Sequence, residues 1–308
     1  MIYIASAMGA EAAPILKAFG LKQAGEIAKV PIYTNDEIGV GLFLTGVGEL
    51  SAAISTAAVI AKRDDCSFLF NVGIAGLERK PVASEKSSRE NAVSDEEGLF
   101  VINKIHSESL GRDYYPDMML RTGLPEASLV TSVSVWKETE QTQESDQNDE
   151  VNEAQTQVPA HGQVLHDMEG AGVFAAASRY LTADRIMLLK VVSDFGKDSE
   201  QIDKNSVKRL MESVLPKLKE LIELAKVYDE EDEKKKEAEV LAKEVAQIAS
   251  ERLHLSITMQ YELRQLLLYK ICRDGKCPSF LQGVLEKQAA SKVEGKKELE
   301  AIRRSIMG

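Results

Sequence analysis

The chain has 308 residues, a length that allows one large domain and an appendage. Of these residues 44% are hydrophobic and 28% charged, which is typical of a globular protein. Its formal net charge of −11 argues against a nucleic-acid partner, because binding to a phosphate backbone requires a basic face. No apolar run approaches the roughly 18–20 residues that a membrane span needs, so we expect no membrane segment.

The amino terminus and the cysteines indicate a reducing compartment. The chain is apolar from Met1 onward, without the basic segment of a secretory signal, so we expect a cytoplasmic protein. Three cysteines, Cys66, Cys272 and Cys277, are too few and too sparse for a disulfide framework. A zinc site at the last two would have only His254 nearby, which favours structural thiols, and we expect no metal or cofactor.

The first third of the chain predicts alternating strands and helices. Apolar runs predict strands at 2–5, 40–45 and 67–72, with helices from the turn at 6–11 through Phe19 and over 50–62. Glycine turns are predicted at 46–48 and 73–76. Strands that are apolar on both faces and separated by helices indicate a parallel-dominated sheet with helices on each side, whose ligands lie at the carboxyl ends of the strands.

The same pattern continues between two polar segments. Residues 79–97 and 137–163 are rich in polar and turn-forming residues and predict loops. Further strands are predicted at 98–105, 127–132 and 186–192, and helices at 170–180 and 205–228. These elements predict an α/β domain over residues 1–228.

The composition changes at Asp229, where Glu, Lys and Ala become dominant up to about Arg252. Apolar residues recur there at helical spacing. Residues 229–308 are therefore predicted to form a small all-α region, either a bundle of its own or helices that contact a partner and mediate assembly.

Three acidic residues stand beside the ends of predicted elements: Glu11, Glu169 and Asp194. Asp194 follows the most apolar strand, where partial shielding would raise its pKa enough for acid catalysis. Glu169 and Asp194 also have simpler interpretations, since a carboxylate is favoured at a helix start and an aspartate is common at an N-cap or turn. The order of the motifs that contain these residues favours a catalytic site over the simpler interpretations.

Five motifs in order resemble the family of purine nucleoside phosphorylases and methylthioadenosine/S-adenosylhomocysteine nucleosidases. They are Ala7–Glu11, Thr45–Gly48, Asn71–Gly76, Asp167–Ala171 and Val192–Asp194. The resemblance implies an α/β fold whose mixed central sheet, flanked by helices, closes toward a barrel. It also implies a homodimer or a larger homo-oligomer.

The resemblance assigns roles to individual residues. Asp194 is implied as the acid that holds or protonates the purine at N7, Met168 and Glu169 as the ribose platform, and Glu11 as the carboxylate that activates water. Trp136 falls where the family places an aromatic residue against the base. A tryptophan that anchors the core or a loop is an equal alternative at that position.

Other positions complete the expected substrate site. The motif residues implied to contact the substrate are Thr45, Gly46, Gly73, Ala75, Gly76 and Ser193. Tyr115 is predicted either to cover the 5′ substituent as part of a lid or to brace the turn at Pro116.

Cleavage of an N-glycosidic bond explains why these residue types would be needed. The sugar gains oxocarbenium character while negative charge develops on the departing base, so a proton donor near the base and a carboxylate near the ribose both assist. A further carboxylate takes the proton of an attacking water. The predicted reaction is hydrolysis of a purine nucleoside, with adenine expected as the base, as in methylthioadenosine, S-adenosylhomocysteine or 5′-deoxyadenosine.

Two alternatives stay open. The phosphorylase branch commonly has an arginine where this chain has Asn71 and a serine where it has Ile74, so hydrolysis is favoured over phosphorolysis. Arg112 or Arg121 would have to supply the missing positive charge for phosphorolysis. A nucleoside-binding sensor without turnover is the third possibility, although it would not need an acid and a base.

Overall fold

The computed structural model describes residues 1–78, 98–136, 163–194, 203–275, 286 and 288–307. The predicted loop at 79–97, nearly all of the predicted loop at 137–163, and Cys277 lie outside these residues. The chain forms two compact units, Met1–Ala225 and Lys226–Gly308. None of the described helices is long and apolar enough to cross a membrane.

The described residues of the first unit form ten strands in a single sheet. Their bounds are β1 Ile2–Ser6, β2 Lys22–Ile27, β3 Val30–Asn35, β4 Val40–Leu44, β5 Phe68–Leu77, β6 Leu99–Ser107, β7 Arg112–Tyr114, β8 Glu126–Thr131, β9 Gln163–Asp167 and β10 Ile186–Asp194. The helices are α1 Gly9–Phe19, α2 Glu49–Ile60, α3 Gly170–Ala177 and the first part of α4 Lys204–Leu253, and a short 3₁₀ turn covers Ala183–Arg185.

The strand pairing combines an open sheet with a closed ring. The order is β10-β6-β8-β9-β5-β1-β4-β3-β2, with β7 on β6, and β10 also pairs with β5. Strands β5, β10, β6, β8 and β9 therefore close on themselves as a barrel. Parallel pairs such as β1–β5 and β5–β10 alternate with antiparallel ones such as β5–β9 and β6–β10, which confirms the mixed sheet implied by the sequence.

Helices cover the buried strands of the sheet. Every residue of β1 is buried, as the continuous apolar run predicts for a strand between two layers. Helix α3 packs closely on α2, and a Cβ added at Gly172 would lie 2.1 Å from the carbonyl oxygen of Glu49. This glycine is required because a side chain there would push the two helices apart.

Two parts of the sheet differ from the sequence prediction. Gly73–Gly76 do not form a turn but continue β5, because β10 pairs alongside it as far as Gly76. The antiparallel hairpin of β2 and β3 was not predicted. Its turn residues Ala28 and Lys29 have φ values of 51° and 66°, a conformation usually signalled by glycine or asparagine, and β2 is almost wholly exposed.

The second unit is helical, which confirms the predicted all-α region. Its helices are the remainder of α4, α5 Ile257–Asp274 and α6 Lys292–Met307. They bury a core of their own that includes Ala246, Leu253, Leu267 and Ile302. Helix α4 is continuous across Tyr228, where the sequence pattern predicted that one helix ends.

Candidate active site

A cavity of about 830 Å³ opens in the first unit at the ends of several strands. Its walls come from the turn after β1, the last residues of β5, β9 and β10, the loop before α3, and the first two turns of α4. Parallel strands β1, β5 and β10 end at this edge, which is where open α/β sheets bind ligands.

Glu11 lies in the first turn of α1 and its side chain reaches the cavity wall. One carboxylate oxygen accepts hydrogen bonds from the backbone N–H groups of Ala7 and Met8, at 2.9 and 3.0 Å. The other accepts from the N–H of Ile74 on β5 at 3.0 Å. Burial raises the pKa of Glu11, while these N–H groups and Lys190 oppose the rise. The carboxylate is therefore held in one position by three fixed donors.

Gly73 makes room for that carboxylate. A Cβ at Gly73 would lie 2.8 Å from Oε1 of Glu11 and 3.6 Å from Nζ of Lys190. Both charged groups thus approach the backbone of β5 at the same point. Gly73, which the sequence analysis assigned to a turn, lies within β5, where its lack of a side chain permits this close approach.

Glu169 stands immediately before α3 and lines the cavity. Its side chain makes no hydrogen bond to its own helix but accepts one from the backbone N–H of Gly48, at 2.8 Å. Burial, with a further contribution from the negative charge of Asp167, raises its pKa to about 7. Glu169 is also the N-cap residue of α3, so the interpretation as a carboxylate favoured at a helix start stays open beside the predicted role at the ribose.

An ion pair that the sequence analysis missed lies beside these carboxylates. Nζ of Lys190 is 2.8 Å from Oδ2 of Asp167, and their side chains are 2% and 1% exposed. Asp167 also accepts hydrogen bonds from Thr131 Oγ1 and the N–H of Gly170. Burial lowers the pKa of Lys190, but the carboxylates of Asp167, Glu169 and Glu11 outweigh it and the net shift is upward. Lys190 thus stays a cation among three acidic groups.

A stacked pair of rings forms another part of the wall. Trp136 and His166 both line the cavity, and their ring centroids are 4.3 Å apart with an interplanar angle of 8°. Nε2 of His166 lies 3.3 Å from Oε2 of Glu78. Burial lowers the pKa of His166 despite that carboxylate, which favours the neutral form of the ring. Trp136 therefore lies at the cavity, not in the core, and contact with a base stays a prediction.

Asp194 is the last residue of β10 and pairs in parallel register with Gly76, which lines the cavity. Its backbone is described but its side chain lies outside the described part of the structure, so its role as the acid stays a prediction. Its neighbour Ser193 lines the cavity and donates a hydrogen bond to the carbonyl oxygen of Ala75 at 3.2 Å.

The fold of this chain is similar to that of several solved structures. No family model and no curated protein matches the chain. Among solved structures, 5′-methylthioadenosine/S-adenosylhomocysteine nucleosidase from Helicobacter pylori is similar with a TM-score of 0.55 at 14% identity, covering 72% of this chain and 97% of that one. The futalosine hydrolase of Helicobacter pylori gives 0.54 at 14% identity over 72% and 97% of the chains. The 5′-methylthioadenosine nucleosidase of Arabidopsis thaliana gives 0.52 at 16% identity over 73% and 95%.

The chain has the nucleosidase fold. Seven residues that the sequence analysis assigned to the site line the cavity: Glu11, Ala75, Gly76, Trp136, Met168, Glu169 and Ser193. Their roles at a substrate stay predictions. The likeness to the solved nucleosidases establishes the architecture, and the chemistry has to be argued from the side chains themselves.

Four residues expected at the substrate do not line the cavity of this nucleosidase fold. Gly73 lies against Glu11, as described above. Thr45 is buried and its hydroxyl donates to carbonyl oxygens of Ser6 and Gly46. Gly46, at φ 77°, forms the turn beyond it. Tyr115 is 63% exposed, with its hydroxyl 3.4 Å from Asp113. Substrate contact by these four stays a prediction.

In the part of the chain that the structure describes, the side chains that could bind a metal ion do not form a cluster. No group of three or more His, Cys, Asp or Glu side chains there is arranged to hold a metal ion. Cys66 is a buried free thiol and Cys272 an exposed one.

Proposed function

We propose that the chain hydrolyses the N-glycosidic bond of a purine nucleoside. The observation that carries this proposal is the meeting of two carboxylates at one cavity, Glu11 and Glu169, both linked electrostatically to the buried pair of Lys190 and Asp167. Buried acids with raised pKa values at a cavity are the groups expected of an acid–base catalyst.

Glu11 is suited to take a proton from an attacking water. Burial makes its carboxylate more basic than an exposed one, and three backbone N–H donors fix its position without neutralising it. A fixed base beside a bound nucleoside turns a bimolecular attack into an effectively unimolecular one. The water would attack the anomeric carbon while the bond to the base lengthens.

Glu169 is suited to hold the ribose. One of its oxygens is occupied by Gly48, so the carboxylate keeps acceptor capacity for ribose hydroxyls. Hydrogen bonds from those hydroxyls strengthen as the sugar ring gains positive charge in the transition state. Met168, its neighbour at the cavity, would provide the apolar part of the same platform.

Lys190 is proposed as a positioning residue. Its ammonium ion bonds to Asp167 and interacts electrostatically with both Glu11 and Glu169. Without a cation, three neighbouring acids could not all stay ionised, because like charges at short range raise one another's pKa. Lys190 would therefore lower the pKa values of the base and the ribose acceptor and so favour their ionised forms.

We propose Asp194 as the acid for the departing base because of its register position. Its backbone pairs with Gly76, which lies at the cavity wall on the strand between β9 and β10. The base would then leave as the neutral species or with its negative charge stabilised. This assignment depends on the strand register and on the family resemblance of the motif ending at Asp194.

The structure favours water over phosphate as the nucleophile. The backbone N–H groups of Ala7, Met8 and Ile74 all donate to Glu11, so the donors that would otherwise suit an anion are already occupied. Arg112 stacks on Tyr114, and neither it nor Arg121 is among the described residues that line the cavity. At the position of Glu11, phosphate would meet a carboxylate, so phosphorolysis would have to depend on Lys204 and Lys208, the lysines that line the cavity.

The primary test is release of free purine base from methylthioadenosine, S-adenosylhomocysteine and 5′-deoxyadenosine, with and without inorganic phosphate. We expect phosphate-independent release, and we expect Glu11→Gln to lower kcat by about 10²–10⁴, the range for loss of a general base. Glu26→Gln, on exposed strand β2, is the matched control and should match the wild type.

The alternatives predict other results. Strict dependence on phosphate would indicate a phosphorylase, and tight nucleoside binding by calorimetry without base release would indicate a sensor. Undiminished hydrolysis by Glu11→Gln would remove Glu11 from the mechanism. Adenine is proposed as the base because the Helicobacter and Arabidopsis nucleosidases are named for adenine nucleosides.

We also propose that the chain is cytoplasmic and forms a homodimer or larger homo-oligomer, with the C-terminal helices contributing to assembly. Self-association is supported by an apolar surface on α2, where Leu50 and Ile54 are 73% and 61% exposed and lie four residues apart. Sedimentation equilibrium of the full chain should show an oligomer that Leu50→Asp weakens. A monomeric wild type would exclude self-association.

A further inference from the structure

Two lysines line the same cavity as Glu11 and Glu169. Lys204 and Lys208 lie in the first two turns of α4, four residues apart and therefore on one face of the helix. Val207, also on that face, lines the cavity and is only 4% exposed. This face of α4 thus forms part of the wall, with an apolar contact flanked by two cationic side chains.

Lys204 does not stabilise the start of the helix that carries it. The start of a helix favours negative side chains, yet the first turn of α4 contains Lys204 and no acidic residue. The cap is supplied from outside the helix by Asp203, whose Oδ1 accepts hydrogen bonds from the N–H groups of Asn205 and Ser206 at 2.6 and 2.9 Å. Lys204 therefore stands where helix electrostatics disfavours a cation.

The charges at the cavity are unequally matched. Glu11 has three N–H donors, Asp167 has Lys190 and Glu169 has the N–H of Gly48. Within the described residues, neither Lys204 nor Lys208 has a hydrogen-bond or ion-pair partner. The cavity thus offers two cations that no described group of the protein neutralises.

We propose that Lys204 and Lys208 form an anion subsite that binds a negatively charged 5′ substituent of the nucleoside. This inference rests on the proposed function and specifies its substrate class. A cavity of about 830 Å³ lies in the upper part of the ~300–1,000 Å³ range of ligand pockets, so it can hold a substituent beyond base and ribose. A carboxylate or phosphate would satisfy both ammonium groups through charge-assisted hydrogen bonds.

The test compares two substrates that differ only at the end of the 5′ group. One is methylthioadenosine and the other is its analogue with a carboxyethylthio group in place of methylthio. For the wild-type full chain, we expect kcat/KM to be about tenfold higher for the carboxylate, equivalent to one good charged contact. The preference should fall as salt concentration rises, because the lysines are exposed to solvent.

The variant Lys204→Gln/Lys208→Gln should bring the ratio of the two kcat/KM values close to one. The control is Lys217→Gln, which lies on the same helix, pairs with Glu220 and is not at the cavity. It should keep the wild-type ratio. Equal kcat/KM for the two substrates in the wild type, or an unchanged ratio in the double variant, would overturn the subsite.

Two further arms separate the sources of the anion and the two proposals. If inorganic phosphate accelerates base release and the double variant loses that response, the subsite holds free phosphate and the assignment to a 5′ substituent is wrong. If no substrate releases base, the proposed function fails. Calorimetric binding of the two nucleosides to the wild type and the double variant then still decides whether the lysines select the carboxylate.

Discussion

Charged residues are used in opposite ways in the two compact units. In the first unit, the ion pair of Lys190 and Asp167 is almost completely excluded from solvent and lies beside two further carboxylates. In the helical unit, pairs such as Lys236 with Asp232 lie on the surface, where the lysine side chain is 60% exposed. The same chemical groups therefore meet very different dielectric surroundings.

This difference in burial indicates what each set of charges contributes to stability and to function. Removing an ion pair from water costs several kcal/mol per ion, and the attraction regained seldom exceeds that cost, so a buried pair is poor evidence of stabilisation. A cluster of buried charges at a cavity is better explained by catalysis or binding. Exposed pairs cost little and contribute little, and they mainly keep a helical surface soluble.

The largest effect should follow from breaking the buried pair. Lys190→Met would leave the buried side chain of Asp167 without its cation, so we expect about 3–5 kcal/mol of lost stability. Activity should fall as well, because Glu11 and Glu169 would lose the cation that lowers their pKa values and favours their ionised forms. Urea unfolding and purine-base release would measure the two effects.

A second variant separates stability from function. Lys190→Met/Asp167→Asn removes both charges and should recover part of the stability, because an uncharged amide is less costly to bury than a lone carboxylate. It should not recover activity. If the single variant were as stable as the wild type, the pair would not be desolvated and this contrast between the units would be wrong.

The missed ion pair shows what a sequence pattern can predict. Glu11 and Glu169 were recognised because they stand at the ends of elements, within motifs that have a family order. Lys190 lies inside the most apolar strand of the chain, where a period-based prediction assigns every position to the core. A charged residue in such a strand was the available signal, since lysine is almost never fully buried without a partner.

The same limit applies to the fold. The strands, most of the helices and the helical C-terminal region were predicted from apolar runs and composition, because these are local signals. The mixed sheet and its closure through β5, β10, β6, β8 and β9 depend on pairing between distant strands, and only the family resemblance implied them. Gly73 was assigned to a turn because its contact, the carboxylate of Glu11, lies 62 positions away in the sequence.

The next effect concerns the pH dependence of activity. If Glu169 must be ionised to accept ribose hydroxyls, kcat/KM should fall about tenfold per pH unit below its pKa of about 7. Glu169→Gln should lower activity and remove this inflection from the profile. A wild-type profile that is flat between pH 5 and pH 8 would contradict the assignment, because the raised pKa would then have no kinetic consequence.

Stability should change in the opposite direction over the same range. The folded pKa of Glu169 is raised above the usual 4.5, so the folded state binds the proton more tightly than the unfolded state does. The resulting contribution to stability is fully present below pH 4.5 and is lost as pH rises through 7, by roughly 1.4 kcal/mol per unit. Glu169→Gln should flatten this slope in urea denaturation curves.

The smallest effect should come from the exposed pairs of the helical unit. Lys236 lies within reach of Asp232 and Glu233, both at 3.0 Å, on the solvent side of α4. Those carboxylates raise its pKa, but water and salt screen a fully exposed charge, so Lys236→Gln should leave the urea midpoint and the base-release rate unchanged within error. A clear loss of stability in low salt that disappears in high salt would show that this pair is less screened than its exposure implies. The contrast between the units would then be one of degree, because an exposed pair would also contribute measurably to stability.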